Sequence, residues 1–289
     1  MNKFVKNNKN GWMYILPALI FISVFIIYPI FNTLILSFQS KSGAFSFSSY
    51  QFLFQDDKFI KAIMNTIMYA LVVTPIVLII ALVISYALSQ KIKLRDTFQT
   101  IFFLPYVTST LAIGTVMAWI FHSNYGVLNG ALGLIGLPQP QWLNDPEYTM
   151  FVIILFGIWK ALAFNILILF TAIQSIDTNL EKAALVDGAS PIRTFIKIKM
   201  PQIYPVIAYL LIINLIGSFK VYEEVVAFYG ANAAGVDNSG MTMVYYVFQK
   251  LSLSNAPNIA AAASMILFVI ILIATFFNKK LTTKFGGKI

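Results

Sequence analysis

The sequence predicts an all-α membrane protein with six transmembrane helices, and three observations lead to this fold class. Of the 289 residues, 59% are hydrophobic and 11% are charged, whereas soluble domains contain about 45–50% apolar and about 25% charged residues. The mean hydropathy is +0.80. Charge-free stretches of about 20 residues or more, the length needed to cross the hydrocarbon core, recur along the chain.

Charged residues set the boundaries of the first three spans. The first lies between Lys9 and Lys41, and the second lies between Lys61 and Lys91. The third ends before the polar segment 122–126, after which several Gly and Pro residues indicate a loop.

The last three spans follow the same logic. The fourth is interrupted only by Lys160. The fifth lies between Lys199 and Lys220, and the sixth between Lys250 and Lys279. The predicted spans cover residues 12–38, 62–89, 98–121, 149–174, 202–221 and 257–278.

The distribution of charge predicts the orientation of these spans. With the N-terminus inside, fourteen of the 20 Lys and Arg residues fall on the cytoplasmic side, and seven of the 11 acidic residues fall outside. An excess of cytoplasmic Lys and Arg is the normal arrangement in membrane proteins. We therefore expect a multi-pass protein of the bacterial cytoplasmic membrane with both termini in the cytoplasm.

Composition also excludes several kinds of function. The chain has no cysteine and a single histidine, His122, which excludes disulfides, thiolate metal sites and imidazole clusters. It contains no GxxxxGK[ST] phosphate loop. The net charge of +9 is a topology signal, so we expect membrane lipid and no nucleic acid as a partner. We expect no enzymatic activity and no metal, and an energy source in a partner or an ion gradient.

The predicted cytoplasmic loop 177–201 begins with a short helix. Thr178 and Glu181 have the spacing of a capping box, which predicts a helix start at Thr178. Gly188 is expected to adopt a positive φ and to end this helix.

A second short helix is predicted after the bend. Ser190 is a favourable N-cap residue, and Pro191 suits the first helical position. Pro201 is expected to end this helix where the fifth span begins. The small residues at the bend leave two interpretations open: they allow another backbone to approach closely, or they pack against the ends of the spans.

The same loop carries a motif that resembles one from a known family. The motif is Ala-Ala-x-x-Asp-Gly-Ala, followed after a fixed interval by Ile-x-Met-Pro. It resembles the EAA loop of permeases from binding-protein-dependent ABC importers, including its distance from the C-terminus. The matching residues are Ala183, Ala184, Asp187, Gly188, Ala189, Ile198 and Pro201.

Other segments resemble the carbohydrate-uptake branch of this family, and in particular its maltose-permease F-like subunits. They are residues 12–29, 47–66, 102–105 and 125–129. The resemblance implies one transmembrane permease domain over residues 1–289 with the type I ABC importer permease fold. It implies import of a carbohydrate, most simply an oligosaccharide, with a glycerol phosphate ester or a polyol as the alternative substrate.

The resemblance also implies partners. These are a second homologous permease subunit, a dimer of ATPase subunits that binds ATP and Mg²⁺, and an extracellular substrate-binding protein. The 177–201 loop would couple the chain to the ATPase through Ala183, Ala184, Asp187, Gly188, Ala189 and Pro201. An ion-coupled secondary transporter is the less favoured alternative, because none of the six spans contains Asp or Glu.

By the same resemblance, the fourth and fifth spans hold the substrate. Phe164, Trp159, Asn165 and Ser218 offer aromatic faces and hydrogen-bonding groups. Lys160 leaves two interpretations open, because it could line the path or snorkel towards the outer surface. The implied path residues are Gly157, Lys160, Ala161, Phe164, Gly217, Ser218 and Val221.

The sequence departs from the family pattern at two places. Lys182 occupies the position of the family glutamate, and Glu181 lies one residue earlier. The outer loop 230–240 lacks the usual Thr-Gly-Gly-Gly-Pro segment. The adjacent acidic pair Glu223 and Glu224 is interpreted as solvated loop charge, since neighbouring helical residues point about 100° apart.

Overall fold

The computed structural model describes residues 8–40, 42–90 and 95–286, and these parts of the chain form helices joined by short connections. Within them, the only β-type pairing is an isolated bridge between Gln39 and Phe45. The predicted all-α class is therefore confirmed. Several basic residues used in the orientation argument lie outside the described residues, namely Lys3, Lys6, Lys41, Lys91, Lys93 and Lys288.

Fourteen α-helices follow one another in the described residues. They are α1 (Asn8–Ile22), α2 (Tyr28–Ser37), α3 (Ser48–Gln55), α4 (Asp57–Ser89), α5 (Arg95–Val107), α6 (Thr110–Ile120), α7 (Val127–Leu134), α8 (Pro146–Gln174), α9 (Thr178–Val186), α10 (Pro191–Thr194), α11 (Met200–Phe219), α12 (Glu223–Tyr229), α13 (Met243–Phe248) and α14 (Pro257–Gly286). Wider π-helical turns join α1 to α2 and α10 to α11, so each pair forms one longer helix.

Within the described parts of the chain, five continuous helices are long and apolar enough to cross a membrane. The shortest has 24 residues, which at about 1.5 Å per residue exceeds the thickness of the hydrocarbon core. The five helices are Met13–Ser37, Asp57–Ser89, Pro146–Gln174, Pro191–Phe219 and Pro257–Lys280.

Carboxylate caps determine where two of these helices begin. The Asp56 side chain accepts a hydrogen bond from the Lys58 amide at 3.0 Å, and Asp145 accepts one from the Glu147 amide at 3.0 Å. Such caps satisfy amide groups that have no partner within the helix. Helices α4 and α8 consequently start several residues before the predicted positions 62 and 149.

The sixth apolar segment differs from the continuous span predicted over residues 98–121. It consists of Gln99–Val107 and Thr110–Ile120, which meet at an angle of 107°. Pro105 cannot donate a backbone hydrogen bond, and Ser109 has a ψ of 127°, outside the helical region. As a result, α5 packs against α8, while α6 packs against the short helix α12.

The centre of the bundle is built on α4, which packs against α8 and α11, while α14 packs against α2, α11 and α13. By contrast, every side chain over residues 13–32 is exposed. We call the end of the bundle that carries residues 177–201 the loop end, and the opposite end the far end. Fully buried apolar side chains of the centre include Phe59, Val77, Ile153, Leu169 and Leu210.

A charged clamp joins α4 to α13 at the far end. The Asp56 carboxylate accepts hydrogen bonds from the Tyr246 hydroxyl at 2.8 Å and is 3.0 Å from the Lys250 ammonium. Lys250 also lies over the Phe52 ring, 4.7 Å from its centre. Burial alone would raise the pKa of Asp56, but these two hydrogen bonds and the Lys250 charge hold it below its usual value.

Candidate functional site

An open cavity of about 680 Å³ lies among α4, α5, α8, α11 and α12. The structure places all seven residues of the implied substrate path on its walls: Gly157, Lys160, Ala161, Phe164, Gly217, Ser218 and Val221. The walls also contain polar and aromatic residues that the sequence interpretation did not include: Tyr69, Tyr106, Asn214, Lys220, Tyr222, Glu223 and Glu224. The cavity is therefore more polar than the predicted residues alone imply.

Two glycines shape the walls in opposite ways. A Cβ atom on Gly157 would lie 1.9 Å from the Tyr69 hydroxyl oxygen, so glycine is needed for this ring to approach α8. A Cβ atom on Gly217 would meet nothing within 4 Å. Gly157 thus admits a neighbouring side chain, whereas Gly217 adds open volume to the cavity.

Lys160 lies at the centre of a charged cluster in the wall. Its ammonium group is 3.4 Å from Glu223 Oε2 and 3.6 Å from Glu224 Oε1, and it donates a hydrogen bond to the Thr110 hydroxyl. The bend after α5 makes this cluster possible, because it brings the start of α6 beside α12. Of the two interpretations of Lys160, the structure supports a cavity-lining position rather than snorkelling to the surface.

The interpretation of Glu223 and Glu224 as solvated loop charge is wrong for Glu224, whereas the Glu223 side chain is 60% exposed and remains solvated. Only 15% of the Glu224 side chain is exposed, and both carboxylates pair with Lys160. A hydrogen bond from the Thr110 hydroxyl lowers the pKa of Glu223, and the Lys160 charge lowers it further against the opposing effect of burial. Glu223 is therefore ionised at neutral pH.

A reciprocal amide pair forms another wall. Asn165 Nδ2 donates to Asn214 Oδ1 at 3.0 Å, and Asn214 Nδ2 donates to Asn165 Oδ1 at 2.6 Å. The two amides also donate to the carbonyl groups of Ala161 and Leu210, each at 2.8 Å. Their donor groups are thus satisfied within the protein, while each oxygen retains capacity to accept a further bond.

Aromatic rings complete the lining. Tyr106 and Phe164 stack with their ring centres 5.5 Å apart, which leaves an aromatic surface beside the polar groups. Ser218 is buried and lies 3.3 Å from the Thr74 hydroxyl. Trp159, which the sequence also offered as an aromatic face, is not among the lining residues and stacks against Phe156 instead.

The first helix of the 177–201 loop starts at Thr178 as predicted, but its capping residue is one position earlier than the capping-box pattern implies. The N-cap is Asp177, whose carboxylate accepts from the Asn179 amide at 2.9 Å. A carboxylate is as effective as a hydroxyl at the N-cap position, so Asp177 caps the helix in place of Thr178. Glu181 is thereby left free of a capping role.

Gly188 ends this helix as predicted, with a φ of +76°. The Gly188 amide donates to the Leu185 carbonyl at 3.1 Å, and the Ala189 amide donates to the Ala184 carbonyl at 2.9 Å. These two bonds define a Schellman turn, which requires a left-handed residue at the glycine position. Nothing lies within 4 Å of the place where a Gly188 side chain would begin.

The bend exposes an apolar surface at the loop end. Val186 is 87% exposed, although it is apolar, and Ala183 and Asp187 are also exposed. Ala184 is the buried small residue that packs against the protein. The other exposed apolar residues of this surface are Leu180, Leu185, Ile192 and Ile196.

An ion pair fixes this surface to the bundle. Glu181 Oε2 lies 2.8 Å from the Lys199 ammonium, and only 9% of the Lys199 side chain is exposed. Glu181 therefore has a partner within the chain, whereas the neighbouring Lys182 is exposed.

The second loop helix does not end at Pro201, contrary to the prediction. Pro191–Phe219 is one continuous helix, and Ser190 caps it by accepting from the Arg193 amide at 3.3 Å. A π-helical turn over Phe195–Lys199 precedes the proline. This wider turn removes the clash that a proline ring makes with the preceding turn of a regular helix.

The chain is similar to known proteins over most of its length. The sequence model of the family described as "Binding-protein-dependent transport system inner membrane component" matches residues 44–285. A probable ABC transporter permease protein of Mycoplasma genitalium is 35% identical over 272 residues, covering 90% of this chain and 81% of the relative. The arabinooligosaccharides transport system permease protein of Bacillus subtilis is 30% identical over 294 residues, covering 99% of this chain and 92% of the relative.

The fold also matches a solved structure. A chain in the crystal structure of a bacterial alginate ABC transporter, in complex with alginate pentasaccharide-bound periplasmic protein, superimposes with a TM-score of 0.86 and 25% sequence identity. The match covers 98% of this chain and 97% of that chain. The two chains therefore share their fold over nearly their whole length.

Proposed function

Since this chain belongs to the family of binding-protein-dependent transport system inner membrane components, we propose that it is the permease subunit of an ATP-driven importer for a carbohydrate. The chain is a multi-pass inner membrane protein. The observation that carries the proposal is the cavity of about 680 Å³ within the bundle, which combines aromatic rings, amides and carboxylates.

This combination suits an oligosaccharide. Sugar rings present apolar faces that stack on aromatic side chains, and their hydroxyl groups donate to amide and carboxylate oxygens. The stacked rings of Tyr106 and Phe164 supply the first kind of contact, and the oxygens of Asn165, Asn214 and Glu223 supply the second. The relatives support the same substrate class, because their names refer to arabinooligosaccharides and to alginate.

The 177–201 loop is the proposed contact with the ATPase subunits, which would bind ATP and Mg²⁺ and carry out hydrolysis. Its exposed apolar residues form a patch of the kind that marks protein interaction sites, and the positive φ of Gly188 maintains the bend that exposes them. Ala183, Asp187 and Ala189 lie at or beside this bend, Ala184 is buried against the protein, and Pro201 lies in the helix that follows. This chain would therefore perform no chemistry of its own.

A second, homologous permease subunit is proposed to close the cavity. The cavity is open on one side, and the apolar side chains of residues 13–32 are all exposed. An extracellular substrate-binding protein is proposed to deliver the sugar at the far end, as the alginate transporter structure also contains a sugar-bound periplasmic protein.

Reconstitution tests this function directly. The chain would be expressed with its neighbouring permease, ATPase and binding-protein genes and placed in liposomes with ATP inside or outside. We expect ATP-dependent uptake of a labelled neutral oligosaccharide from a panel that includes arabinotriose and maltotriose, with sn-glycerol 3-phosphate as the competing substrate class. Uptake driven by an ion gradient without any ATPase would contradict the proposal, and so would uptake of sn-glycerol 3-phosphate alone.

A further inference from the structure

We propose that Glu223 and Glu224 make the cavity select an uncharged, polyhydroxylated ligand over an anionic one, because they occupy the cation of Lys160. The inference rests on the proposed function, in which this cavity receives the transported molecule. It concerns the charge of the ligand, which neither the family nor the composition of the chain determines.

Lys160 is the charged group that an anion entering this part of the cavity would need. Its ammonium has three donors, and three protein oxygens already surround it, from Glu223, Glu224 and Thr110. Strong recognition of phosphate or carboxylate depends on short hydrogen bonds from a cationic donor. A ligand anion could obtain these bonds from Lys160 only by displacing a protein carboxylate.

The charges around Lys160 also oppose the binding of an anion at this place. Two carboxylates surround one ammonium in this cluster, so the cluster carries a net negative charge. The other cation of the lining is Lys220, which is exposed. Lys220 brings the four charged groups to a sum of zero, but it lies outside the cluster, so an anion transferred from water to a position beside Lys160 meets a net negative charge.

The same carboxylates are well placed for hydroxyl groups. Lys160 contacts only one oxygen of each, Oε2 of Glu223 and Oε1 of Glu224. The Glu223 side chain is 60% exposed, so its carboxylate is accessible and can accept hydrogen bonds from a ligand in place of water. The stacked pair of Tyr106 and Phe164 lines the same cavity. A neutral sugar is thus offered both acceptors and an aromatic face, whereas an anion beside Lys160 meets a cation that two carboxylates already hold.

The test is a gain of anion binding. In the assembled complex of both permeases and the ATPase subunits, without the binding protein, the melting temperature would be followed during titration with trigalacturonate and with maltotriose. In the variant Glu223→Gln/Glu224→Gln, Lys160 loses both counter-charges. We expect its affinity for trigalacturonate to rise on the order of tenfold over the wild type.

Two further variants identify the cause. Adding Lys160→Met to the double variant should remove the gained anion binding. The control Asp57→Asn/Glu147→Gln removes two exposed carboxylates from the first turns of α4 and α8, and it should leave trigalacturonate binding at the wild-type level.

Three outcomes would overturn the inference: equal wild-type affinity for trigalacturonate and maltotriose, no gain in the double variant, or a gain that survives Lys160→Met. The titration requires no transport. A complex that gains anion binding as expected but accumulates no saccharide with ATP would therefore contradict the proposed function and not this inference.

Discussion

The cavity and the 177–201 loop differ in which groups they leave without partners. In the cavity, the polar groups bind one another, as Asn165 does with Asn214 and Lys160 with Glu224. In the loop, the capping groups are satisfied, but apolar side chains such as Val186 face the solvent. The polar groups of the cavity therefore need no further partner than water or a small polar ligand. The apolar side chains of the loop would be removed from water only by contact with another protein.

This difference predicts how substitutions separate the two regions. Changes in the loop should abolish energy coupling and leave the cavity and its ligand binding intact. Changes in the cavity should alter ligand handling and leave the loop able to bind its partner.

Gly188→Val should reduce ATP-dependent uptake by about 100-fold, because a β-branched residue is strained at φ +76° and the Schellman turn that presents the apolar surface would be lost. The measurement is uptake in proteoliposomes, together with the amount of protein in the membrane. Maltotriose binding to the cavity should not change.

The matched control is Gly136→Val. Gly136 has a φ of +72°, and nothing lies within 4 Å of its Cβ position, so the local backbone strain is equivalent. It lies in the connection at the far end. Equal losses of uptake in the two variants would mean that strain alone, and not the loop surface, explains the effect of Gly188→Val.

Glu181→Gln should lower uptake by about tenfold, because it leaves the buried ammonium of Lys199 without its counter-ion. Lys199→Met should have a smaller effect, since the remaining Glu181 side chain is 39% exposed and can be solvated. The exchange Glu181→Lys/Lys199→Glu should recover much of the activity. If both single variants and the exchange behave alike, the ion pair does not position the loop.

Gly157→Ala should reduce uptake by about fivefold while ATPase binding stays normal, because the added methyl group would collide with the Tyr69 hydroxyl and force this ring to move. Gly217→Ala is the matched control, since its added methyl group meets nothing within 4 Å. The measurements are uptake and co-purification of the ATPase. A stronger defect in Gly217→Ala would contradict the arrangement of the cavity walls.

Asp56→Asn should change transport least and lower the melting temperature by about 4 °C, because the clamp lies apart from both regions and the hydrogen bonds from Tyr246 and Lys250 would weaken. The pKa of Asp56 is lowered in the folded state. Its ionised form therefore stabilises the fold above the ordinary pKa of about 3.9, and this contribution disappears as the pH falls through the lowered value.

Melting temperatures at pH 7 and about pH 3 check this assignment. The difference between the wild type and Asp56→Asn should be largest at neutral pH and should diminish at acid pH. A difference that grows as the pH falls would show that the clamp does not depend on the ionised carboxylate.

Most of the fold could be predicted because lipid imposes a simple rule on composition. Apolar stretches between charged residues located the helices. Gly188 ends one helix and Ser190 caps the next, and both roles depend only on the residue type and its neighbours in sequence. The bend between α5 and α6 was missed. A proline such as Pro105 is tolerated within apolar helices, so it does not by itself reveal a turn of 107°.

The candidate site was less accessible to prediction because its decisive contacts are distant in sequence. Lys160 and Glu223 are 63 residues apart, and no local pattern relates them. Asn214 could have been found, since it lies three and four residues before Gly217 and Ser218 and therefore on the same face of the helix. Pro201 misled the local interpretation because the π-helical turn before it accommodates the proline ring.

The unbroken helix Pro191–Phe219 has a mechanical consequence. Its 29 residues measure about 43 Å at a rise of about 1.5 Å per residue. Ile192 of the loop surface lies at one tip, and Gly217 of the cavity wall lies at the other. If the helix tilts as a rigid body by about 5° about its loop end, the cavity end is displaced by about 4 Å. A tilt driven from the loop end would thus move the Gly217 wall of the cavity by more than the width of a hydroxyl group.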